Sequence, residues 1–255
     1  MTVLALAAGA VVGLALGGLG GGGGVLAVPA LIYLLGFSPA AATTAGLIIV
    51  AVTSLVSLVA RARDGEVRWR AGLLFAGAGI GPAALGGYAA GRVPGPVLTA
   101  AFAVIAALAA WRMLRPSAPG GHPDEGRESP PVRPARALGA GAGLGAVTGV
   151  LGVGGGFLAV PALVSVVGLR MKAAVGTSLL VIAITSTAAL TTRAGTADGL
   201  DWAVVAPFTG AAILGAWDGK RLAARLSGDR LRRVFAYVLL AVAAFMLLDV
   251  LLRTS

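Results

Sequence analysis

The chain has 255 residues, of which 58% are hydrophobic and 12% charged, and its mean hydropathy is +0.93. A soluble domain of this length needs far more polar surface, so the composition excludes a water-soluble globule and points to an all-α integral membrane protein. The formal charge of +10 rests on arginines at the ends of apolar runs, with Lys172 and Lys220 the only lysines; no basic stripe is interleaved with aromatics, which excludes a nucleic-acid surface, and the lack of cysteine excludes disulfides and thiolate metal sites.

The first apolar segment lies near 3–19. No basic stretch precedes it, so it reads as structure rather than a cleaved signal. The run Gly20–Gly24 separates it from a second segment near 24–36, and three more follow near 40–60, 71–91 and 96–114. A Pro-, Gly- and charge-rich stretch, 115–136, reads as a flexible aqueous linker. Beyond it the same series returns near 137–151, 156–168, 173–192, 202–219 and 231–251. Each is expected to be helical, because an open sheet leaves its backbone unsatisfied in lipid. The first two of each half are short: 13 residues rise about 20 Å, less than a hydrocarbon core of about 30 Å. Each such pair is therefore expected to be a hairpin of short or broken helices meeting within the membrane.

The two series are copies. GGGGVLAVPAL at Gly21–Leu31 matches VGGGFLAVPAL at Val153–Leu163 at an offset of 132, and Gly36, Ala41, Ala42, Thr53 and Ser54 meet Gly168, Ala173, Ala174, Thr185 and Ser186. At an offset of 133, Trp69, Phe75, Gly77, Phe102 and Met113 meet Trp202, Phe208, Gly210, Phe235 and Met246. A register held over a whole half is the mark of internal duplication. The chain divides into a first membrane repeat, 1–114, the linker, 115–136, and a second membrane repeat, 137–255.

Charge sets the expected orientation. With the turns around 61–70, 112–136, 168–172 and 220–233 on the cytoplasmic side, all of the 20 basic residues except Arg92, Arg193 and Arg253 lie inside. The turn after the third segment is then cytoplasmic in the first half and external in the second, and the turn after the fourth is reversed. The halves are expected to form an inverted repeat with both termini outside, each a Gly-broken helical hairpin plus three transmembrane helices, an architecture common among secondary transporters.

The glycine runs are the candidate site. Consecutive glycines weaken a helix by roughly 1 kcal/mol each, and a helix restarting after such a break presents unpaired N–H groups at its positive dipole end. Without side chains, Gly22, Gly23 and Gly24 in one half and Gly154, Gly155 and Gly156 in the other let an anion approach that backbone. The scattered Gly77, Gly79, Gly81, Gly86 and Gly87 read more simply as helix-packing residues. Pro29 and Pro161, five residues into the restarted helices, read as structural kinks of the hairpins. Hydroxyls follow on the third segments: Thr43, Thr44, Thr53 and Ser54, then Thr177, Ser178, Thr185 and Ser186. They either bond the preceding helical turn or face a cavity. Every basic residue lies at a segment end or in a turn, so the ligand is expected to be an anion held by backbone N–H groups and hydroxyls without an ion-paired Arg or Lys. No catalytic constellation, metal cluster or nucleotide loop is present in the sequence, His122 lies in the linker, and no mid-segment carboxylate offers a proton relay. Neither an enzyme nor a cofactor is expected.

At the paired GGGxLAVPAL elements, at AAVGTSLL after Lys172, and at Trp69 and Trp202 after polar turns, the chain resembles the TauE/SafE sulfite exporter family over all but the linker. The resemblance implies a multi-pass protein of a bacterial inner membrane that moves small sulfur-containing or organic anions, such as sulfite, thiosulfate or sulfoacetate. One departure is visible: Thr177-Ser178 fits the family pattern, whereas the matching first-half positions are Ala45-Gly46. The expected function is a secondary transporter or exporter of a small anion working by alternating access. A passive anion channel and a membrane scaffold without transport stand as alternatives. The partners expected are the anion and the lipid bilayer, with a homo-oligomer left open.

Overall fold

The structure, a computed structural model, describes residues 2–20, 22–90, 95–114, 134–151, 156–191 and 200–254. Among them the chain forms ten α-helices and no strand. The first half holds α1 (Thr2–Leu19), α2 (Gly22–Pro29), α3 (Pro39–Arg63), α4 (Trp69–Ala90) and α5 (Gly95–Leu114). The second holds α6 (Pro134–Leu151), α7 (Gly156–Ala162), α8 (Met171–Thr191), α9 (Trp202–Ala224) and α10 (Gly228–Thr254). The linker stretch 115–133 lies outside the described residues, and α6 takes up the chain at Pro134, within the last residues assigned to it.

The hairpins differ from expectation in one respect. Their first members are not short: α1 and α6 have 18 residues each, about 27 Å of rise. α1, with the stretches Ala41–Arg63 and Met171–Thr191, is long and apolar enough to cross a membrane. Glycines inside these helices did not stop them, because tight packing against a neighbour offsets their poor propensity. The second members are short. α2 has eight residues and α7 seven, and each passes into a π-helical turn, Ala30–Leu34 and Leu163–Val167. Pro29 and Pro161 account for this, since a proline lacks the N–H for the i−4 carbonyl and its ring pushes that carbonyl away, which widens the turn. Both turns end on a left-handed glycine, Gly36 (φ 70°) and Gly168 (φ 82°). The next residue then bonds back six positions, Phe37 N–H to the Leu31 carbonyl (3.0 Å) and Leu169 N–H to that of Leu163 (2.9 Å).

Packing exchanges the halves. α1 lies along α9 and α6 along α4, while α3 pairs with α8 and α5 with α10. The first two seams use corresponding residues. A Cβ at Gly9 or Gly13 would come within 2.4 or 2.0 Å of the Phe208 or Ala212 carbonyl oxygen of α9. At Gly141 or Gly145 it would come within 2.2 or 2.1 Å of the Phe75 or Gly79 carbonyl oxygen of α4. Gly79, read from sequence as a packing glycine, is one. The cores match too: Leu31 and Phe208 are buried in one cluster, Leu163 and Phe75 in another.

The outer surface is apolar, with Leu4, Val11, Leu85, Leu214 and Leu248 all at least half exposed. A set of polar groups is inside. Among the described residues, the buried polar and charged side chains are Thr44, Thr53, Ser54, Ser57, Arg61, Thr177, Ser178 and Ser186, and all lie on α3 or α8. That distribution inverts the soluble pattern and is the one a bilayer selects.

Candidate functional site

α1 ends at Leu19, and Gly20 follows it with a φ of 82°. Only glycine takes this conformation without strain, and the space demands it as well: a Cβ there would lie 2.6 Å from Ser178 Oγ and 3.1 Å from Val175. The glycine break of the first half thus rests on a hydroxyl-bearing turn of the second. Gly22, Gly23 and Gly24 form the first turn of α2, whose N–H groups have no intrahelical partner. In the second half Gly156 starts α7, while Gly154 and Gly155 lie outside the described residues.

The α3–α4 turn closes over the same place. The Arg68 N–H donates to Thr177 Oγ1 at 3.0 Å, and the Glu66 carbonyl packs so closely on Gly176 that a Cβ there would be 2.6 Å away. Arg61, in the last turn of α3, is only 3% exposed. Its Nη2 donates to the Gly17 carbonyl at 2.6 Å, near the negative end of the α1 dipole. Its Nη1 donates to Glu66 Oε2 at 2.5 Å, and Nε has no partner. Alongside, Lys220 of α9 donates to the Ala60 carbonyl at 2.8 Å and pairs with Asp64 at 2.6 Å. Arg61, Asp64, Glu66, Lys172 and Lys220 line a cavity of about 40 Å³. The sequence placed Arg61 among the turn charges. It is a buried cation beside the first glycine break.

The predicted hydroxyls divide by what they already do. Ser178 Oγ donates to the Val175 carbonyl at 2.7 Å, Thr53 to that of Ile49 at 2.6 Å, and Thr185 to that of Val181 at 2.9 Å. These are the local back-bonds open to hydroxyls in membrane helices. Ser54 Oγ, fully buried next to Thr53, has no partner. Ser186, its repeat counterpart, is also buried, and so is Thr44, with Thr43 one residue before it on α3. The structure therefore joins the first glycine break to Thr177, Ser178 and Arg61. The Thr53-Ser54 and Thr185-Ser186 pairs lie two turns or more away along α3 and α8. Pro29 and Pro161 serve the hairpin turns. Among the described residues there is no grouping of three or more metal-ligating side chains.

An apolar-clad helical bundle whose buried polar side chains, among the described residues, all lie on α3 and α8 is an integral membrane protein with a polar interior. The family model described as "Sulfite exporter TauE/SafE" matches residues 5–246, and the chain belongs to this family of membrane transporters. It is 34% identical over 251 residues to a "Probable membrane transporter protein" of Xylella fastidiosa (strain 9a5c), covering 96% of this chain and 94% of that protein. It is 34% identical over 250 residues, with the same coverage, to the protein of that name from strain Temecula1 / ATCC 700964. No solved structure matches it.

Proposed function

We propose that the chain is a secondary transporter of a small anion, sulfite or a related organosulfur or organic anion, which it moves across a bacterial inner membrane by alternating access. The observation that carries this reading is that, among the described residues, the buried polar side chains all lie on α3 and α8, the two helices against which the glycine-started α2 and α7 pack. A transported anion needs a desolvated path lined by donors, and to the hydroxyls and helix-start N–H groups expected from sequence the burial of Arg61 adds one guanidinium that the sequence reading left out. In a low-dielectric interior each is worth several times its value in water. The exchanged packing of the halves supports an inverted repeat, in which two related conformations open one path to opposite sides. Trp69, Trp111 and Trp217, each about half exposed, fit an aromatic belt on the side assigned to the cytoplasm, and Trp202 one on the other side.

The test is flux in proteoliposomes loaded with sulfite. Alternating access predicts saturable efflux that accelerates when anion is supplied on the opposite side. Flux that rises linearly with concentration and ignores the opposite side would instead identify a channel. A cytoplasm-only reporter fused after Ser255 should be silent, and an active one would overturn the inverted orientation.

A further inference from the structure

The cavity at the end of α3 carries more positive than negative charge. Arg61, Lys172 and Lys220 face Asp64 and Glu66 across it. Lys220 is matched by Asp64 and Arg61 by Glu66, while Lys172 makes no ion pair among the described residues. Arg61 is buried, holds α1 through the Gly17 carbonyl, and keeps an unpartnered Nε at this place. Its acidic partner is the looser of the two, the Glu66 side chain being 27% exposed against 4% for Arg61.

We propose that this cavity is an oxyanion entry site, and that an arriving anion displaces Glu66 from Arg61. This deepens the transport reading and rests on it. The volume has room for roughly three waters, the scale of one small pyramidal or tetrahedral oxyanion. A cation would meet a net positive lining there, and a neutral solute has nothing to set against the Arg61–Glu66 pair. An oxyanion brings the charge that Lys172 lacks and accepts from the Arg61 Nη1 that Glu66 leaves. Glu66 belongs to the turn that sits on Gly176 and Thr177 of α8. Its release loosens the contact between α3 and α8 at the glycine break, while Arg61 keeps its hold on α1. Anion arrival is thereby coupled to a joint between the two halves.

The experiment is a calorimetric titration of the purified full chain with sulfite. Glu66→Gln removes the competing carboxylate and should tighten binding about fivefold, the equivalent of a partly exposed ion pair. Arg61→Gln should weaken binding at least about tenfold, with Arg61→Lys between the two. The gain from Glu66→Gln should vanish in the Arg61→Gln background, the coupling expected of a shared partner. Arg221→Gln, an equal change of charge on an exposed side chain, should bind as the unaltered chain does. A structural role for Glu66 predicts lost affinity, not a gain, so this variant decides the matter even if Arg61→Gln fails to fold. Saturable flux by the unaltered chain with no tightening in Glu66→Gln would overturn this inference alone. An unaltered chain that neither binds nor transports small anions would overturn the transport reading with it.

Discussion

At the two glycine seams the halves of this protein are interchangeable, and at the hydroxyl-bearing turn of α8 and its counterpart on α3 they are not. Gly9 and Gly13 meet Phe208 and Ala212 just as Gly141 and Gly145 meet Phe75 and Gly79. On α8, however, Thr177 and Ser178 stand where α3 has Ala45 and Gly46. The seams leave no freedom, because a side chain there drives into a backbone carbonyl that its own helix holds in place. The polar face is a matter of donors, and a ligand between two halves can take them from one. Hence a duplicated scaffold with unlike turns: α8 sets the Ser178 hydroxyl against Gly20, whereas α3 has no hydroxyl at Gly46, where a Cβ would approach the Val28 side chain to 3.0 Å.

The largest effects are expected at the seams. Gly13→Val and Gly145→Val should each cost about 3 kcal/mol or more, enough to remove much of a domain's stability. Thermal unfolding of the purified protein would show it, along with loss of monodispersity. Gly77→Val, where a Cβ meets nothing within 4 Å, should change little. Similar losses at positions 13 and 145 would sharpen the equivalence of the seams, and a tolerated valine at either would break it.

Much of the scaffold was legible in sequence. The apolar runs and the duplication follow from composition and register, and Pro29 and Pro161 stand in the hairpin turns where their spacing puts them. The lengths of α1 and α6 were less legible, because glycine propensity argues for short helices and the backbone contacts that overrule it are tertiary. For the same reason the seam glycines Gly9, Gly13, Gly141 and Gly145 were not distinguished from the rest. Arg61 stands at the segment end where the sequence puts it, but its burial is not legible in a charge count, which treats the whole turn 61–70 as solvent, whereas the bend at Gly65 (φ 71°) folds Glu66 back onto it. A signal was there: Arg61-Ala62 and Arg193-Ala194 stand at the same offset of 132 as the glycine motifs. Which hydroxyls are already satisfied is a question of rotamers, and spacing along a helix does not answer it.

A mid-sized effect tests the break itself. Gly20 and Gly168 share a φ of 82°, but a Cβ at Gly168 meets nothing, whereas one at Gly20 meets Ser178. Gly168→Ala should therefore cost only the left-handed conformation, about 1 kcal/mol, and Gly20→Ala about 2 kcal/mol, since the Ser178 side chain must also move. Thermal unfolding of the pair separates conformation from contact. Equal costs would mean that the Ser178 face is free to give way, and the convergence of break and hydroxyl would lose its structural basis.

The smallest expected change in stability bears most directly on function. Thr53 and Ser54 are adjacent, both are buried, and only Thr53 is hydrogen-bonded. Removing the Ser54 hydroxyl takes away a desolvated group that stabilises nothing, so Ser54→Ala should leave stability within about 0.5 kcal/mol of the unaltered chain. If that hydroxyl instead waits for the anion, the same substitution should weaken sulfite binding by about 1 kcal/mol, or roughly fivefold. Thr53→Ala gives the opposite pattern, some loss of stability and little change in affinity, because its hydroxyl is already engaged with Ile49. Ser186→Ala, the repeat counterpart, then asks whether the second half contributes equally. An affinity loss at both serines would place the anion between α3 and α8, and a loss at Ser54 alone would extend the asymmetry of the lining to mid-helix. Unchanged affinity at both would confine the donors to the Arg61 end of the path, and the buried serines would be left as packing residues.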